Sequence, residues 1–379
     1  MVVLLFVVND PEFFLSHRLP LAIAAREAGF DVQVATALRP ACDRIVKLGF
    51  VHHRFPLSRS GCNPLAELHT LWALYRLLRK VKPSIVHLVT IKPVLYGGLT
   101  ARLAGVQALV AAVAGLGTVF VARDKNFSPL RLGIRWLYRF ALKHRNLRVI
   151  FQNPDDRSVI VGLGAVRSEQ TALIKGSGVA LGDYPMRPEP VGTPVVTFAA
   201  RLLKDKGVVE FVEAARLLRN RAVVSRFWLV GVPDPGNVTS INDTDIEFWR
   251  ESGLIEPLGY RTDIAEVFAN SNVVVLPSYY GEGLPKVLIE AAACGRVVIT
   301  TDQPGCRDAT EPNVTGLLVP PRDAAALADA IERLVQDSVL RRSMGKAGRA
   351  LAEREFGIEK VIDAHLRIYH ELLNPYTSH

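Results

Sequence analysis

Short apolar runs alternate along the first half of the chain with stretches in which apolar residues recur every three or four positions. The runs predict buried strands at 2–8, 31–36, 85–88, 108–114 and 149–151. The stretch 18–29 has helical spacing and ends at Gly29, a residue type favoured just after a helix. This alternation predicts a parallel sheet that is covered by helices on both faces.

The same alternation starts again after a proline-rich segment. Pro185, Pro188 and Pro190 lie close together and predict a linker. Beyond it, apolar runs predict strands at 195–199, 226–230, 272–276 and 297–300. Helical spacing predicts helices at 207–219, 285–295, 324–336, 338–356 and 358–373.

The chain is therefore expected to be an α/β protein with two doubly wound, Rossmann-like domains. We predict them at 1–180 and 187–361, with a final helix at about 362–379 that packs back on the first domain. Ligands bind at the carboxyl ends of such strands, so we expect a site in a cleft between two facing domains. The apolar segments 1–8 and 103–122 do not predict a membrane span, because one is short and glycines interrupt the other.

Composition and charge narrow the classes of function. Hydrophobic residues make up 49% and charged residues 22% of the 379 residues, as in globular proteins. Four cysteines without a CxxC pair argue against a disulfide scaffold and a zinc site, and they fit a reducing cytosol. The net charge of +9 is uneven, with +13 on residues 1–186 and −4 on the rest. We therefore expect the first half to meet nucleic acid, a phospholipid surface or a phosphorylated substrate.

The most informative segment is 276–295, LPSYYGEGLPKVLIEAAACG, which follows a predicted strand. Glu282 is expected in a loop, and Glu290 in the helix that Pro285 opens. A helix start of this kind binds anions, and a carboxylate accepts hydrogen bonds from the vicinal hydroxyls of ribose and hexoses. The alternative is that Glu282 is a solvated loop residue and Glu290 a helix-surface residue. The lack of a Walker loop or an early GxGxxG argues against kinases, ATPases and dinucleotide dehydrogenases.

This segment resembles the E-x7-E signature of retaining nucleotide-sugar glycosyltransferases of family four, which have the GT-B fold. The segments 198–207, 258–264, 304–308 and 313–319 share the resemblance, which covers nearly the whole chain. It implies a UDP-sugar donor, no metal and no protein nucleophile, because the leaving phosphate helps to deprotonate the acceptor. Asp243-Thr244-Asp245 matches a metal-binding DxD by its letters, but its polar, Asn-rich surroundings predict a loop.

The resemblance assigns four side chains to the donor and to catalysis. Arg201 and Lys206 would bind the two phosphates, where fixed cations stabilise the charge that builds on the leaving group. Glu282 would hold hydroxyls of the transferred sugar, and Glu290 would hold the ribose hydroxyls. The alternative for Arg201 and Lys206 is that they are exposed loop cations.

Further donor contacts are implied around the same loop. Backbone amides of Gly283, Leu284 and Lys286 would lie near the sugar and phosphate. Tyr260 would either border the base or pack in the interior. The chain has Gly281 where many family members have an arginine, so one donor-side cation is missing from the expected set.

Acceptor residues are expected at the ends of the first domain's strands. Asn9 ends the first strand, and Lys92 is placed for an acceptor phosphate. Gly117 and Thr118 belong to a glycine loop that a ligand approaches closely. His17, expected to begin a helix, is either a contact of the acceptor or donor pyrophosphate, or a surface or capping group.

A basic helix suggests where the acceptor is found. Arg131, Arg135, Arg139 and Lys143 step by four, with Trp136, Tyr138 and Phe140 as amphipathic companions, and 71–82 is similar in character. The alternative is two helices with basic outer faces and aromatic residues in the core. The segments 90–93 and 115–118 resemble the subgroup that extends polyprenyl-diphosphate-linked sugars, which favours contact with an anionic membrane.

The sequence thus predicts a sugar transferase, peripheral on the inner face of the cytoplasmic membrane, that acts on an undecaprenyl-diphosphate-linked sugar. By resemblance the donor sugar is an N-acetylhexosamine, with N-acetylgalactosamine favoured. The alternatives are a soluble transferase with a non-lipid acceptor, an inactive sugar-binding relative, and a nucleic-acid binder that uses the basic half. No helix-turn-helix, RNP or zinc pattern supports the last, so no nucleic-acid partner is expected.

Overall fold

The computed structural model describes residues 1–57, 63–117 and 129–374, without the side chains of 129–132, 134 and 135. The chain folds into two compact units. The first comprises Met1–Ser177 and the last helix from Glu359 onward, and the second comprises Gly178–Ile358. Within the described ranges, none of the helices is both long enough and apolar enough to cross a bilayer.

The first unit is built on a parallel seven-stranded sheet in the order β3-β2-β1-β4-β5-β6-β7. Its strands are β1 (Val2–Val8), β2 (Phe30–Thr36), β3 (Val51–Arg54), β4 (Ile85–Val89), β5 (Ala108–Val113), β6 (Leu147–Phe151) and β7 (Thr171–Leu173). Its helices are α1 (Pro11–His17), α2 (Leu19–Glu27), α3 (Cys42–Lys47), α4 (Pro64–Val81), α5 (Ile91–Ala104), α6 (Pro129–Ala141) and α7 (Pro154–Gly162).

Both faces of this sheet are buried. Leu5 and Val7 belong to one apolar cluster, whereas Leu4, Phe6 and Val8 belong to another on the opposite face. This explains why β1 is continuously apolar rather than alternating. The last helix, Ile358–Leu373, contributes Tyr369 to the second cluster.

The second unit has a parallel six-stranded sheet in the order β10-β9-β8-β11-β12-β13. Its strands are β8 (Val195–Ala199), β9 (Arg226–Val230), β10 (Glu256–Gly259), β11 (Val273–Leu276), β12 (Val297–Thr301) and β13 (Gly316–Val319). Its helices are α8 (Val208–Asn220), α9 (Asp243–Glu251), α10 (Ile264–Ala269), α11 (Lys286–Ala293), α12 (Ala324–Gln336) and α13 (Ser338–Leu351), and the chain's last helix is α14 (Ile358–Leu373).

The predicted fold class, α/β with two doubly wound parallel sheets, is confirmed. Every strand that lies inside a sheet was predicted to within two residues at either end. The strands without a prediction are β3, β7, β10 and β13, which are the four sheet edges. An edge strand has a neighbour on one side only and is less buried, so it needs no long apolar run.

The predicted linker is held firmly against the second unit. Arg296 is buried and donates to the carbonyl oxygens of Arg187 and Pro188, and also to those of Phe268 and Ala269. Glu189 forms a buried ion pair with Arg341 at 2.9 Å. The segment is therefore an ordered part of this unit rather than a loose connection.

Candidate active site

Lys206 and Glu282 meet directly at the carboxyl end of the second unit's sheet. The Lys206 ammonium donates to Oε1 of Glu282, which also accepts a hydrogen bond from Ser278 Oγ at 2.9 Å. Lys206 precedes α8 and Glu282 precedes α11, so two different strand–helix connections supply the pair. Both side chains are largely buried, which separates them from ordinary surface charges.

Two glycines allow the loops of this site to approach one another. A Cβ on Gly207, whose φ is +80°, would lie 2.3 Å from the carbonyl oxygen of Pro277. A Cβ on Gly305 would lie 2.2 Å from the carbonyl oxygen of Gly283. Only glycine fits these positions without moving backbone, and the 304–308 segment thereby supports the Glu282 loop.

The second carboxylate, Glu290, is inside the protein. Its side chain lies on α11, and the residue is only 7% exposed, so it is not a helix-surface residue. Oε1 of Glu290 accepts a hydrogen bond from the Tyr184 hydroxyl at 2.5 Å and lies 3.0 Å from Nζ of Lys286. Pro285 is the N-cap residue of α11 rather than its first helical residue, which corrects the predicted start by one position.

Arg201 is paired with a residue that the sequence analysis did not single out. Its Nη1 lies 2.6 Å from Oδ2 of Asp234, which belongs to the loop after β9. Glycines and prolines surround Asp234 in the sequence, and they carry no signal for an ion pair. Asp205, next to Lys206 in the chain, is buried. Burial raises the pKa of Asp205 against the lowering effects of a hydrogen bond with Thr239 and of the charges on Lys206 and Arg201.

The remaining donor-side predictions have mixed outcomes. Gly283 and Leu284 follow Glu282 in the loop that leads to α11, and Lys286, the first residue of α11, lies near Glu290. Tyr260 follows β10 and is 74% exposed, so it does not pack in the interior. The predicted loop at Asp243 to Asp245 is wrong, because Asn242 and Asp245 cap the start of α9.

In the first unit, the ends of three adjacent strands carry polar groups and glycines. Asn9 follows β1, and its buried Oδ1 has no hydrogen-bond partner among the described residues. The same holds for Oγ1 of Thr90, which follows β4. Thr90 has φ +74° and ψ +166°, a region that is essentially restricted to glycine. Gly117 follows β5 with φ +67°, and Thr118 lies outside the described residues.

Lys92 and His17 have local partners. Lys92 Nζ lies 2.7 Å from Oε1 of Glu67. Burial alone would raise the pKa of Glu67, but hydrogen bonds from Lys92 and Tyr96 outweigh it and lower that pKa. His17 is the last residue of α1 and does not begin the next helix, which corrects the prediction. Its ring stacks on Phe13 at 4.1 Å between centroids.

The helix proposed for membrane contact has exposed aromatic residues. Trp136 is 51% exposed, Phe140 is exposed beside it, and the Arg139 guanidinium lies 5.5 Å from the Trp136 ring centroid. Tyr138 is buried in the core, so it is not a companion of that face. Lys143 lies beyond the end of α6 at Ala141, and the side chains of Arg131 and Arg135 lie outside the described set.

A second exposed apolar surface lies on α4. Trp72 is 55% exposed, and Leu65 and Leu68 are exposed on the same helix. The Arg76 guanidinium lies 4.6 Å from the centroid of the Trp72 ring. Both α4 and α6 pack against α5, so the two surfaces belong to one helical layer of the first unit.

Comparison with known proteins gives matches along most of the chain. Residues 3–153 match the family model described as glycosyl transferase 4-like, and residues 193–337 match the one described as glycosyl transferases group 1. An N,N′-diacetylbacillosaminyl-diphospho-undecaprenol α-1,3-N-acetylgalactosaminyltransferase of Campylobacter jejuni is 27% identical, over 95% of this chain and 98% of the relative. A UDP-Gal:α-D-GlcNAc-diphosphoundecaprenol α-1,3-galactosyltransferase of Escherichia coli is also 27% identical, over 82% of this chain and 81% of the relative.

Solved structures with the same fold include proteins from Thermosynechococcus elongatus and Anabaena. Sucrose-phosphate synthase of Thermosynechococcus elongatus has a TM-score of 0.79 at 22% identity, over 99% of this chain and 100% of that chain. Anabaena HepE in complex with UDP has a TM-score of 0.75 at 18% identity, over 98% of this chain and 100% of that chain. At these identities the likeness shows the GT-B fold.

Proposed function

Since this chain belongs to the glycosyltransferases of family four, we propose that it transfers a sugar from a UDP-sugar to an undecaprenyl-diphosphate-linked sugar. The observation that carries the proposal is the Lys206–Glu282 pair with Glu290 buried on the adjoining helix. One cation and two carboxylates match a ligand that has a diphosphate between two polyhydroxylated sugars.

On the donor side, Lys206 and Arg201 take the two phosphates and Glu282 takes hydroxyls of the transferred sugar. Both cations are already paired with carboxylates, so donor binding exchanges or shares those partners rather than leaving a buried charge unpaired. As the bond from the anomeric carbon to the diphosphate breaks, the two cations stabilise the negative charge on the leaving oxygen.

The transfer proceeds with retention at the anomeric carbon. The acceptor hydroxyl oxygen forms its bond on the face from which the diphosphate leaves, and its proton passes to a phosphate oxygen of the leaving UDP. The steps balance without a protein nucleophile or a metal. Glu282 and the amides of Gly283 and Leu284 orient the sugar ring for this attack.

Acceptor binding is proposed at the strand ends of the first unit. We retain Asn9, His17, Lys92, Gly117 and Thr118 as proposed acceptor residues. We add Thr90, because its buried hydroxyl lacks a partner among the described residues and its backbone is strained. Strain of this kind is often retained where it serves binding.

The name of the C. jejuni relative supports N-acetylgalactosamine as the transferred sugar, and that of the E. coli relative supports galactose as the competing donor. The test is a donor panel of UDP-N-acetylgalactosamine, UDP-N-acetylglucosamine, UDP-galactose and UDP-glucose, with UDP release measured in the presence of an undecaprenyl-diphosphate sugar. We expect the highest kcat/KM with UDP-N-acetylgalactosamine. If none of the four donors gives UDP release that depends on the acceptor, the proposal is contradicted.

We further propose that the protein works peripherally on the cytoplasmic membrane face. The support is the aromatic and basic surface of Trp72, Arg76, Trp136, Arg139 and Phe140. Flotation with vesicles that contain anionic lipid should capture the protein at low salt and lose the Trp72→Ser/Trp136→Ser variant. Absence of wild-type flotation favours the alternative, a soluble transferase with a non-lipid acceptor.

A further inference from the structure

Tyr184 makes a contact with Glu290 that none of the sequence motifs indicates. The two residues are 106 positions apart, and the Tyr184 hydroxyl donates to Oε1 of Glu290 at 2.5 Å. Nη1 of Arg349 donates to the carbonyl oxygens of both Tyr184 and Ala293, at 2.7 and 2.6 Å. Ala293 is the last residue of α11, so Arg349 ties the backbone of Tyr184 to the helix that carries Glu290.

The two oxygens of the Glu290 carboxylate have different surroundings. Oε1 receives the Tyr184 hydroxyl and lies near the Lys286 ammonium, whereas Oε2 accepts no hydrogen bond from any described residue. A carboxylate oxygen can accept more than one hydrogen bond, and fixing one oxygen fixes the direction of the other. The carboxylate is therefore oriented before a ligand arrives, with one oxygen left to accept.

We propose that Tyr184 is a positioning residue, which holds the Glu290 carboxylate so that Oε2 accepts the ribose hydroxyls of the nucleotide. This inference rests on the proposed function, in which Glu290 binds the ribose. Tyr184 is suited to the task because its hydroxyl is a donor held by a half-buried ring that packs on the second unit's core. Pre-organised contacts of this kind strengthen ligand hydrogen bonds, because less ordering remains for binding.

The protonation state of Tyr184 supports a permanent donor. Burial and the neighbouring Glu290 raise the pKa of Tyr184 above that of an ordinary tyrosine. The hydroxyl consequently stays protonated throughout the range in which the enzyme works. The orientation of Glu290 should therefore show no pH dependence that originates from Tyr184.

The test compares the binding of UDP with that of 2′,3′-dideoxy-UDP by titration calorimetry. The wild type should prefer UDP, because only UDP offers hydroxyls to Glu290. Tyr184→Phe should weaken UDP binding roughly tenfold and dideoxy-UDP binding little, which narrows the ratio of the two affinities. Equal weakening of both ligands, or an unchanged UDP affinity, would overturn the assignment, because a merely structural role does not depend on the ribose hydroxyls.

Two further variants separate positioning from general damage. Tyr369→Phe is the matched control, because it removes a buried tyrosine hydroxyl that lies 2.6 Å from His87 Nδ1 in the first unit. It should lower stability and leave the affinity ratio unchanged. In the Glu290→Gln background, Tyr184→Phe should narrow the ratio by less than it does in the wild type, and a fully additive effect would overturn the coupling.

The outcomes also separate this inference from the proposed function. A wild type that binds no UDP, or that does not distinguish the two nucleotides, contradicts the proposed donor site itself. If the wild type prefers UDP and a folded Tyr184→Phe variant shows the same preference, only the role of Tyr184 is overturned. If Tyr184→Phe does not fold, Arg349→Lys provides the second variant, and it should narrow the ratio in the same direction.

Discussion

The two units end their strands with polar side chains in different states. In the second unit the charged groups proposed to bind the donor have partners: Lys206 has Glu282, Arg201 has Asp234 and Glu290 has Tyr184. In the first unit the buried oxygens of Asn9 and Thr90 have no partner among the described residues. The difference reflects a general rule: a largely buried charge needs a partner in the free protein, whereas a buried neutral oxygen can stay without one at lower cost.

The largest effect is expected from Lys206→Ala. The variant loses the cation that stabilises the leaving diphosphate, so kcat should fall by about 10²- to 10³-fold, and UDP affinity should fall as well. Steady-state UDP release and calorimetry measure the two effects. The control is Lys204→Ala, two residues earlier and exposed, which should keep both values near those of the wild type. Similar losses in the two variants would contradict a specific role for Lys206.

Glu282→Gln should separate catalysis from nucleotide binding. The loss of a charged hydrogen-bond acceptor for the sugar should lower kcat/KM for the UDP-sugar by about 10- to 100-fold. UDP has no transferred sugar, and its affinity should hold or rise because Lys206 no longer has Glu282 as its partner. A large loss of UDP affinity would mean that Glu282 mainly orders Lys206.

Sequence patterns predicted the elements and residues that have a regular local spacing or belong to a family motif. The nine interior strands were found because burial on both faces requires continuous apolar runs, as in β1 and β11. Glu282, Glu290 and Lys206 were proposed as site residues because they stand in motifs, and the structure places Lys206 against Glu282. The four edge strands, including Val51–Arg54, were missed because they lack such runs.

Other features could not be predicted because they exist only in the folded chain. The pairs Tyr184–Glu290 and Arg201–Asp234 join residues that are distant in sequence and have no shared spacing. The strained backbone of Thr90 is a property of its dihedral angles rather than of its residue type. Tyr138 was assigned to the outer face because its spacing alone does not show which side of α6 the core covers.

The two units should differ in how buried titratable groups respond to pH. In the first unit, burial and nearby Arg18 lower the pKa of His365 to about 3. Burial also lowers the pKa of His87. The ring of Tyr369 lies against both histidine rings. These histidines are neutral when folded and take up protons on unfolding. The contribution of His365 is present above the unfolded pKa of 6.5 and is lost as the pH falls towards about 3. That of His87 is lost in the same direction.

For Asp205 in the second unit, the dependence of stability on pH has the opposite sign. Burial raises its pKa, so its contribution is present below the unfolded pKa of 3.8 and is lost as the pH rises through the folded value. Hydrogen exchange resolved by unit, between pH 4 and 7, measures both. His365→Phe should reduce the loss of stability on acidification, and Asp205→Asn should reduce the loss at rising pH. A His365→Phe variant that loses as much stability on acidification as the wild type, or an Asp205→Asn variant that loses as much at rising pH, would contradict this assignment.

The smallest effect is expected from Thr90→Gly. Glycine adopts the observed dihedral angles without strain, so the first unit should gain about 1 kcal/mol of unfolding free energy. The KM for the lipid-linked acceptor should rise, because the hydroxyl is lost. Thr100→Gly, inside α5, is the matched control and should lower stability by about 1 kcal/mol. If the Thr90→Gly variant is less stable than the wild type and has an unchanged KM for the acceptor, the assignment of Thr90 to the acceptor site is contradicted.

The most direct test of a retaining lipid-linked transferase is the anomeric configuration of its product. UDP-N-acetylgalactosamine, which is an α-linked donor, is incubated with the protein and an undecaprenyl-diphosphate-linked sugar, and the extended glycan is released for NMR. One α-linked N-acetylgalactosamine per UDP formed is the expected result. A β-linked product, or UDP formed without an extended lipid-linked glycan, would contradict the proposed reaction.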